Sequence, residues 1–386
     1  MAGFAVFWGL LPTFIDEWGL TNVEAGAVNG ILFFGYLAAV PVLVSLTDRM
    51  DPKRIYLFSM ALTGLSSLGF ALMAEGFRTA ALFRLIAGIG LAGTYMPGLK
   101  VLSDRLQGPT QSRAIAFYTG GFSIGSALSF FLAGELGAAL GWQWAFAVAA
   151  LGPLAAVALV AFILPPTAAA EYRDPDAPIT HLLDFRPVLR CRAAMGYVFA
   201  YACHIWELFA YRSWMVAFLV YAAAIHPRPG GAVLSATVIA MIVNLLGVPA
   251  SILGNELATR FDRRRVISVV MIISALIAFS MGYAASLPYW LVAVLSVIYG
   301  MAIMGDSASL TAGLVREAPA GYRGATMAVY SCIGFSGAFL GPLVFGLALD
   351  LSGSGRTIGS WSAGFITIGA VALLGPLALK MMGAQK

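Results

Sequence analysis

Long apolar runs separated by short polar turns fill nearly the whole chain. A helix of about 20 apolar residues is what crosses the hydrocarbon core of a bilayer. By that rule the pattern predicts helices over 1–18, 25–46, 54–75, 79–102, 113–135, 142–164, 193–222, 232–256, 265–286, 288–313, 323–350 and 359–382. Six precede and six follow the one long polar stretch, Pro165 to Arg192. The first run is short, with about 13 apolar residues from Gly3 to Ile15 before Asp16 and Glu17. No basic leader precedes it, which argues against a cleaved signal peptide. Either this helix starts inside the membrane or it is truncated, and we expect truncation, with further turns before Met1.

One charged turn occurs twice. Leu46-Thr47-Asp48-Arg49-Met50-Asp51-Pro52-Lys53-Arg54 returns as Leu257-Ala258-Thr259-Arg260-Phe261-Asp262-Arg263-Arg264-Arg265. Arg49 aligns with Arg260 and Asp51 with Asp262, an offset of 211 residues in a chain of 386. A repeat at half-length in an apolar chain marks two homologous halves. The expected fold is therefore an all-α membrane protein of twelve transmembrane helices. They would form two pseudo-symmetric six-helix bundles, residues 1–164 and 193–386, joined by a linker over 165–192.

Composition agrees with lipid as the main solvent. Sixty per cent of residues are hydrophobic and 11% are charged, against about 25% charged in soluble domains. The net charge of +5 does not indicate nucleic acid, because the cations sit in short inter-helix loops. With both termini in the cytoplasm, eighteen Lys and Arg fall on the cytoplasmic side and three, Arg78, Arg228 and Arg356, on the other. That is the positive-inside bias of a multi-pass protein. The three cysteines, Cys191, Cys203 and Cys332, lie in or beside apolar runs and read as packing residues. Small residues such as Gly26, Gly30 and Gly35 let neighbouring helices approach closely. Gly341-Pro342 marks either a flexing point or a tight contact.

On these features the chain resembles the major facilitator superfamily of secondary transporters over essentially its whole length. The family signature Gly-x-Leu-Ala-Asp-Arg-x-Gly-Arg-Arg/Lys is matched by Leu46, Asp48, Arg49 and Lys53, with Val44 and Asp51 at the glycine positions. The second copy keeps Leu257, Ala258, Arg260, Arg263 and Arg264, with Thr259 at the Asp position. A second signature, Arg-x-x-x-Gly-x-Gly, is matched by Arg84, Gly88 and Gly90. The resemblance implies a multi-pass protein of a bacterial inner membrane, monomeric, without cofactor. It also implies a gating role for Asp48, facing the helix that begins near Tyr322 and Arg323. The alternative is a charged turn that only sets topology.

Ionisable residues inside spanning helices are costly and mark function. Here they are Arg84, His204, Glu207, Arg212 and Asp306, with Lys100 at a helix end. Tyr197, Tyr201, His204 and Tyr211 form one helical stripe, and Glu207 lies three residues from His204. The expectation is that His204 and Glu207 form a proton-coupling site, with Tyr201, Tyr211 and Arg84 lining the substrate path. The competing reading makes Glu207 and Arg212 a structural ion pair and His204 an interhelical donor. Arg84 can hold a carboxylate in bidentate fashion or brace neighbouring helices.

The sugar-porter Pro-Glu-Ser, the glycine-rich nitrate-porter runs and the drug-antiporter Gly-Pro are absent from their usual places. The chain most resembles the small bacterial anion and organic-solute porters of the cyanate-transporter kind. Proton-coupled movement of a small organic solute is expected, an anion favoured by Arg84 and Arg212. Two other classes stay open: a copper carrier using Met195, Cys203, His204, Met301 and Met304, or a non-transporting sensor or assembly factor. No His-Glu-x-x-His, nucleophile elbow or phosphate-binding loop indicates an enzyme.

Overall fold

The computed structural model describes residues 1, 3–47, 50–95, 97–98, 101, 108–165, 185–226 and 234–382, with the backbone alone at 45, 108–117, 119–120 and 323. Among these residues the chain is helical and has no strand. Its helices are α1 (Val6–Gly9), α2 (Leu11–Trp18), α3 (Asn22–Leu46), α4 (Pro52–Met73), α5 (Phe77–Ala92), α6 (Gly108–Leu140), α7 (Trp142–Ile163) and α8 (Arg186–Arg190). There follow α9 (Arg192–Ile225), α10 (Ala236–Arg260), α11 (Arg263–Ala284), α12 (Tyr289–Met304), α13 (Ser307–Glu317), α14 (Arg323–Leu351), α15 (Ile358–Ala372) and α16 (Leu374–Met381). Ten stretches among the described residues are helical, long and apolar enough to cross a membrane. The expected segments over 1–18 and 79–102 are not among those ten. The first is divided into α1 and α2, and the described helix in the second, α5, is 16 residues long.

The duplicated turn has a local explanation. Asp51 caps α4 by accepting from the Lys53 amide at 2.9 Å, with Pro52 in the first turn. Asp262, its counterpart at the 211-residue offset, caps α11 by accepting from the Arg265 amide at 2.8 Å. Each copy of the turn starts a spanning helix in the same way.

The chain forms two compact units. The first comprises Met1–Leu10 and Ile31–Leu182. In it α4 packs along α5 and α7, and Phe70 stacks on Phe146 with ring centroids 4.0 Å apart. Gly88 and Gly90 set the spacing here. A methyl group on Gly88 would lie 1.9 Å from the Leu32 carbonyl oxygen, and one on Gly90 would meet Thr63 and Ser59. This is the physical content of the Arg84-Gly88-Gly90 signature: α5 lies backbone to backbone against its neighbours.

The second unit comprises Leu11–Gly30 and Leu183–Lys386. Its axis is α9, whose most apolar window is 72% buried, while no other span exceeds 44%. Helix α14 lies along it and passes through Pro342 without ending. The Trp214 indole donates to the Pro342 carbonyl at 3.0 Å, and a methyl on Gly341 would meet the Trp206 carbonyl oxygen at 2.9 Å. Of the two readings of Gly341-Pro342, this geometry is tight packing.

At the end of α14, Asp350 accepts from the Asn22 amide (3.2 Å), the Asn22 side chain (2.7 Å) and the Val23 amide (2.8 Å). These are orphan donors at the start of α3, so the carboxylate acts as a cap supplied from another helix. Asp350→Ala is expected to lower stability by about 1–2 kcal/mol, the usual loss of a cap, read as a fall in melting temperature in detergent.

Candidate functional site

Each unit holds its own buried polar group. In the second unit the group is built on α9, because a helix covered on nearly all sides must direct its polar side chains at polar partners. His204 and Glu207 are 0% and 1% exposed. His204 Nδ1 lies 2.7 Å from Asp306 Oδ1, a close contact without the alignment of a linear hydrogen bond. Glu207 accepts from the Tyr299 hydroxyl at 3.0 Å and the Ser274 hydroxyl at 3.1 Å. Its two oxygens are thus held by O–H donors from α12 and α11. Tyr201 stacks on Tyr330 at 3.7 Å and lies beside His204 at 6.0 Å, and the Tyr330 hydroxyl is 2.9 Å from that of Thr311.

Asp306 owes its position to a break in the helix. Met304 ends α12, Ser307 begins α13, and Gly305-Asp306 lies between them. The break is held against α10. A methyl on Gly254 would sit 1.7 Å from the Gly305 carbonyl oxygen. The Ser309 hydroxyl donates to the Gly254 carbonyl at 3.3 Å, and Arg263 donates to the Ser309 carbonyl at 3.2 Å and to Asn255 at 2.9 Å. Discontinuous helices of this kind, with freed backbone covered by protein, are where transporters place ions and substrates.

The remaining candidates in this unit have other surroundings. The Tyr211 hydroxyl donates to the Ser296 carbonyl at 2.7 Å, which makes it a buried brace between α9 and α12. Arg212 does not pair with Glu207. Its Nη2 lies 3.9 Å from the Met304 sulfur, and its guanidinium is 6.0 Å from the Phe209 ring centroid. Arg264 pairs with Glu317 at 3.3 Å and lies over Tyr197, while Arg260 pairs with Glu256 at 3.0 Å on an exposed face. Among the described residues no group of three His, Cys, Asp or Glu is arranged to hold a metal. Sequence reasoning missed Tyr299 and Ser274. Tyr299 carried a signal, since it stands seven residues before Asp306 on the same helical face; Ser274 carried none.

In the first unit a guanidinium is buried on α5, that of Arg84, 3% exposed. Its guanidinium lies 5.4 Å from the Phe7 ring centroid, and its Nε and Nη2 have no hydrogen-bond partner among the described residues. It lines a cavity of about 50 Å³ together with Phe4, Phe70, Phe83, Phe146 and Thr63. A buried guanidinium with open donors is short of an anion. Lys53 is occupied differently: its ammonium donates to the Ala161 carbonyl at 3.2 Å and to the Leu164 carbonyl, closing the end of α7. Asp48, Arg49 and Lys100 lie outside the described residues.

Apolar helices long enough to span a membrane, with acid, imidazole and guanidinium groups buried among them, are the features of a multi-pass membrane protein with a functional interior. The chain belongs to the Major Facilitator Superfamily, whose model matches residues 1–342. It is 26% identical over 374 residues to the gallate transporter of Pseudomonas putida, covering 90% of this chain and 82% of that one. It is 28% identical over 189 residues to the uncharacterized MFS-type transporter YbcL of Bacillus subtilis (strain 168); that match takes in 49% of this chain and 46% of YbcL. The fold superposes on the crystal structure of nucleoside transporter NupG with a TM-score of 0.75, at 15% identity, over 100% of this chain and 97% of that one.

Proposed function

We propose that this chain is a twelve-helix, proton-coupled transporter of a small aromatic carboxylate, working by alternating access as a monomer in a bacterial inner membrane. Its halves would be the bundles 1–164 and 193–386, with the 165–192 linker and both termini cytoplasmic. The observation that carries the coupling is Glu207, buried in a spanning helix, held among the described residues by two hydroxyl donors and three residues along α9 from His204, which contacts Asp306. A proton on Glu207 leaves its carboxyl neutral, and its departure leaves a negative charge among buried groups. Buried net charge is costly in a membrane. The cluster therefore favours carrying a proton through the occluded state and releasing it where water enters.

The anion is the charge that Arg84 lacks. The cavity beside it has room for about three waters, enough for a carboxylate, and the phenylalanines around it offer faces for a ring as the path opens. The gallate transporter among the relatives carries a substrate of this chemistry. Gating would fall to Asp48, Arg49 and the second-copy cations Arg260, Arg263 and Arg264.

Uptake of radiolabelled gallate and benzoate into proteoliposomes under an imposed pH gradient tests the reading. Arg84→Ala should raise KM by about tenfold or more, because a charge-assisted hydrogen bond contributes about 1.5–3 kcal/mol. An unchanged KM would return Arg84 to a bracing role.

A further inference from the structure

Three spanning helices of the second unit meet in a surface cleft of about 900 Å³. Arg192 opens α9, Arg265 lies in the first turn of α11, and Lys380 lies in the last turn of α16. With Arg264 they give the cleft four cations against one acid, Asp262. Asp262 is engaged as the cap of α11 and Arg264 is engaged with Glu317. Arg192 uses one nitrogen on the Met381 carbonyl at 3.2 Å. The side chains of Arg265 and Lys380 have no partner among the described residues. Among the described residues the cleft is left with an unbalanced positive charge, which seeks an anion.

Its shape says which anion. Arg265, Ser268 and Ile272 follow one another down one face of α11, at positions i, i+3 and i+7. Two helical turns, or about 11 Å, separate the cation at the helix end from the aliphatic side chain deeper in. On α16, Lys380 stands at the end and Leu377 one turn inward. Ile272 and Leu377 are 41% and 51% exposed. Each helix thus presents a cation at the edge of its span and bare hydrocarbon below it, the profile of a headgroup above acyl chains. Cations that only set topology need no shared cleft and no apolar floor.

We infer that this cleft is a binding site for an anionic phospholipid, its phosphate held by Arg265, Lys380 and Arg192 and its chains lying along Ile272 and Leu377. The site is independent of the transported solute, and with the termini cytoplasmic it faces the inner leaflet, where basic pockets between helix ends take anionic headgroups.

The test is native mass spectrometry, with parallel thermal melts, of the full chain in detergent, titrated with phosphatidylglycerol or with phosphatidylcholine of the same chains. Phosphatidylglycerol should give a discrete one-lipid adduct and raise the melting temperature; phosphatidylcholine should do neither. Arg265→Gln with Lys380→Gln should weaken the adduct about thirtyfold, at about five- to sixfold for each of two surface cations, without changing the lipid-free melt. The charge-matched control Arg54→Gln with Arg356→Gln should retain it. Equal response to phosphatidylcholine, an adduct surviving in the cleft variant, or equal loss in the control would each overturn the site. If inorganic phosphate alone reproduced the full thermal shift, the lipid assignment would be overturned as well.

Discussion

Glu207→Gln is expected to abolish pH-driven accumulation while leaving exchange of solute across the membrane intact. The glutamine is nearly isosteric and still accepts from one of the two hydroxyls that hold the carboxyl, those of Tyr299 and Ser274. The other hydroxyl turns to accept from the new amide, since hydroxyls serve in either role. Packing around α9 survives. What disappears is the ability to take up and give off a proton. A gradient of one pH unit is about 1.36 kcal/mol per proton, so a one-proton symporter sustains about tenfold accumulation. The variant should equilibrate its solute to about equal concentrations while retaining counterflow. Proteoliposomes with an alkaline interior measure both. Tenfold accumulation by the variant would move the proton carrier to the His204–Asp306 pair.

The second large effect is structural and has an internal control. Gly254→Ala should destabilise the protein by about 1–3 kcal/mol, the cost of overpacking a fitted interface. Its methyl would meet the Gly305 carbonyl oxygen at 1.7 Å and the Gly305 carbonyl carbon at 2.7 Å. Those are backbone atoms of the helix break and cannot turn aside, so α10 must move off the segment that positions Asp306. Gly247→Ala on the same helix meets the Met304 side chain, 2.9 Å away at Cγ, and a side chain can shift where a backbone carbonyl cannot. Alanine is a better helix former than glycine by about 1 kcal/mol, which offsets part of the shift Met304 must make, so Gly247→Ala should cost clearly less than Gly254→Ala. Thermal melts of the pair separate the two cases. Equal shifts would mean that the contact at Gly305 relaxes at little cost.

Much of this was legible in the sequence because the bilayer imposes one-dimensional rules. Apolar runs of fixed length marked the spans, and the 211-residue repeat aligned Asp51 with Asp262, two residues that perform the same capping task. The costly residues His204, Glu207, Arg84 and Asp306 stood out against apolar surroundings. Their partners did not. Spacing along α9 put His204 with Glu207, yet each points at a different neighbouring helix: His204 at Asp306, Glu207 at Ser274 and Tyr299. Such pairings are decided by helix rotation and packing, which periodicity does not encode. Lys53 shows the same limit, since the carbonyls it closes lie more than 100 residues away and leave no mark near the motif. Asp350 stands at the end of the expected helix 323–350, and nothing near it in sequence marks its partners at Asn22 and Val23, more than 300 residues away.

The interruption at Gly305-Asp306 also has a mechanical meaning. An unbroken helix of the length of Tyr289–Glu317 would be a single stiff rod, and tilting one end would swing the other. Divided in two, it becomes a pair of short levers sharing a pivot. The far lever is tethered to α10 through the Ser309 hydroxyl on the Gly254 carbonyl and to α11 through Arg263 on the Ser309 carbonyl. The near lever is braced to α9 through Ser296 and Tyr299, so the two are held by different partners. On the proposed mechanism, a change of inclination between them would let the carboxylate at the pivot exchange neighbours through a small rotation instead of a large displacement. A charge costly to move through hydrocarbon need travel hardly at all.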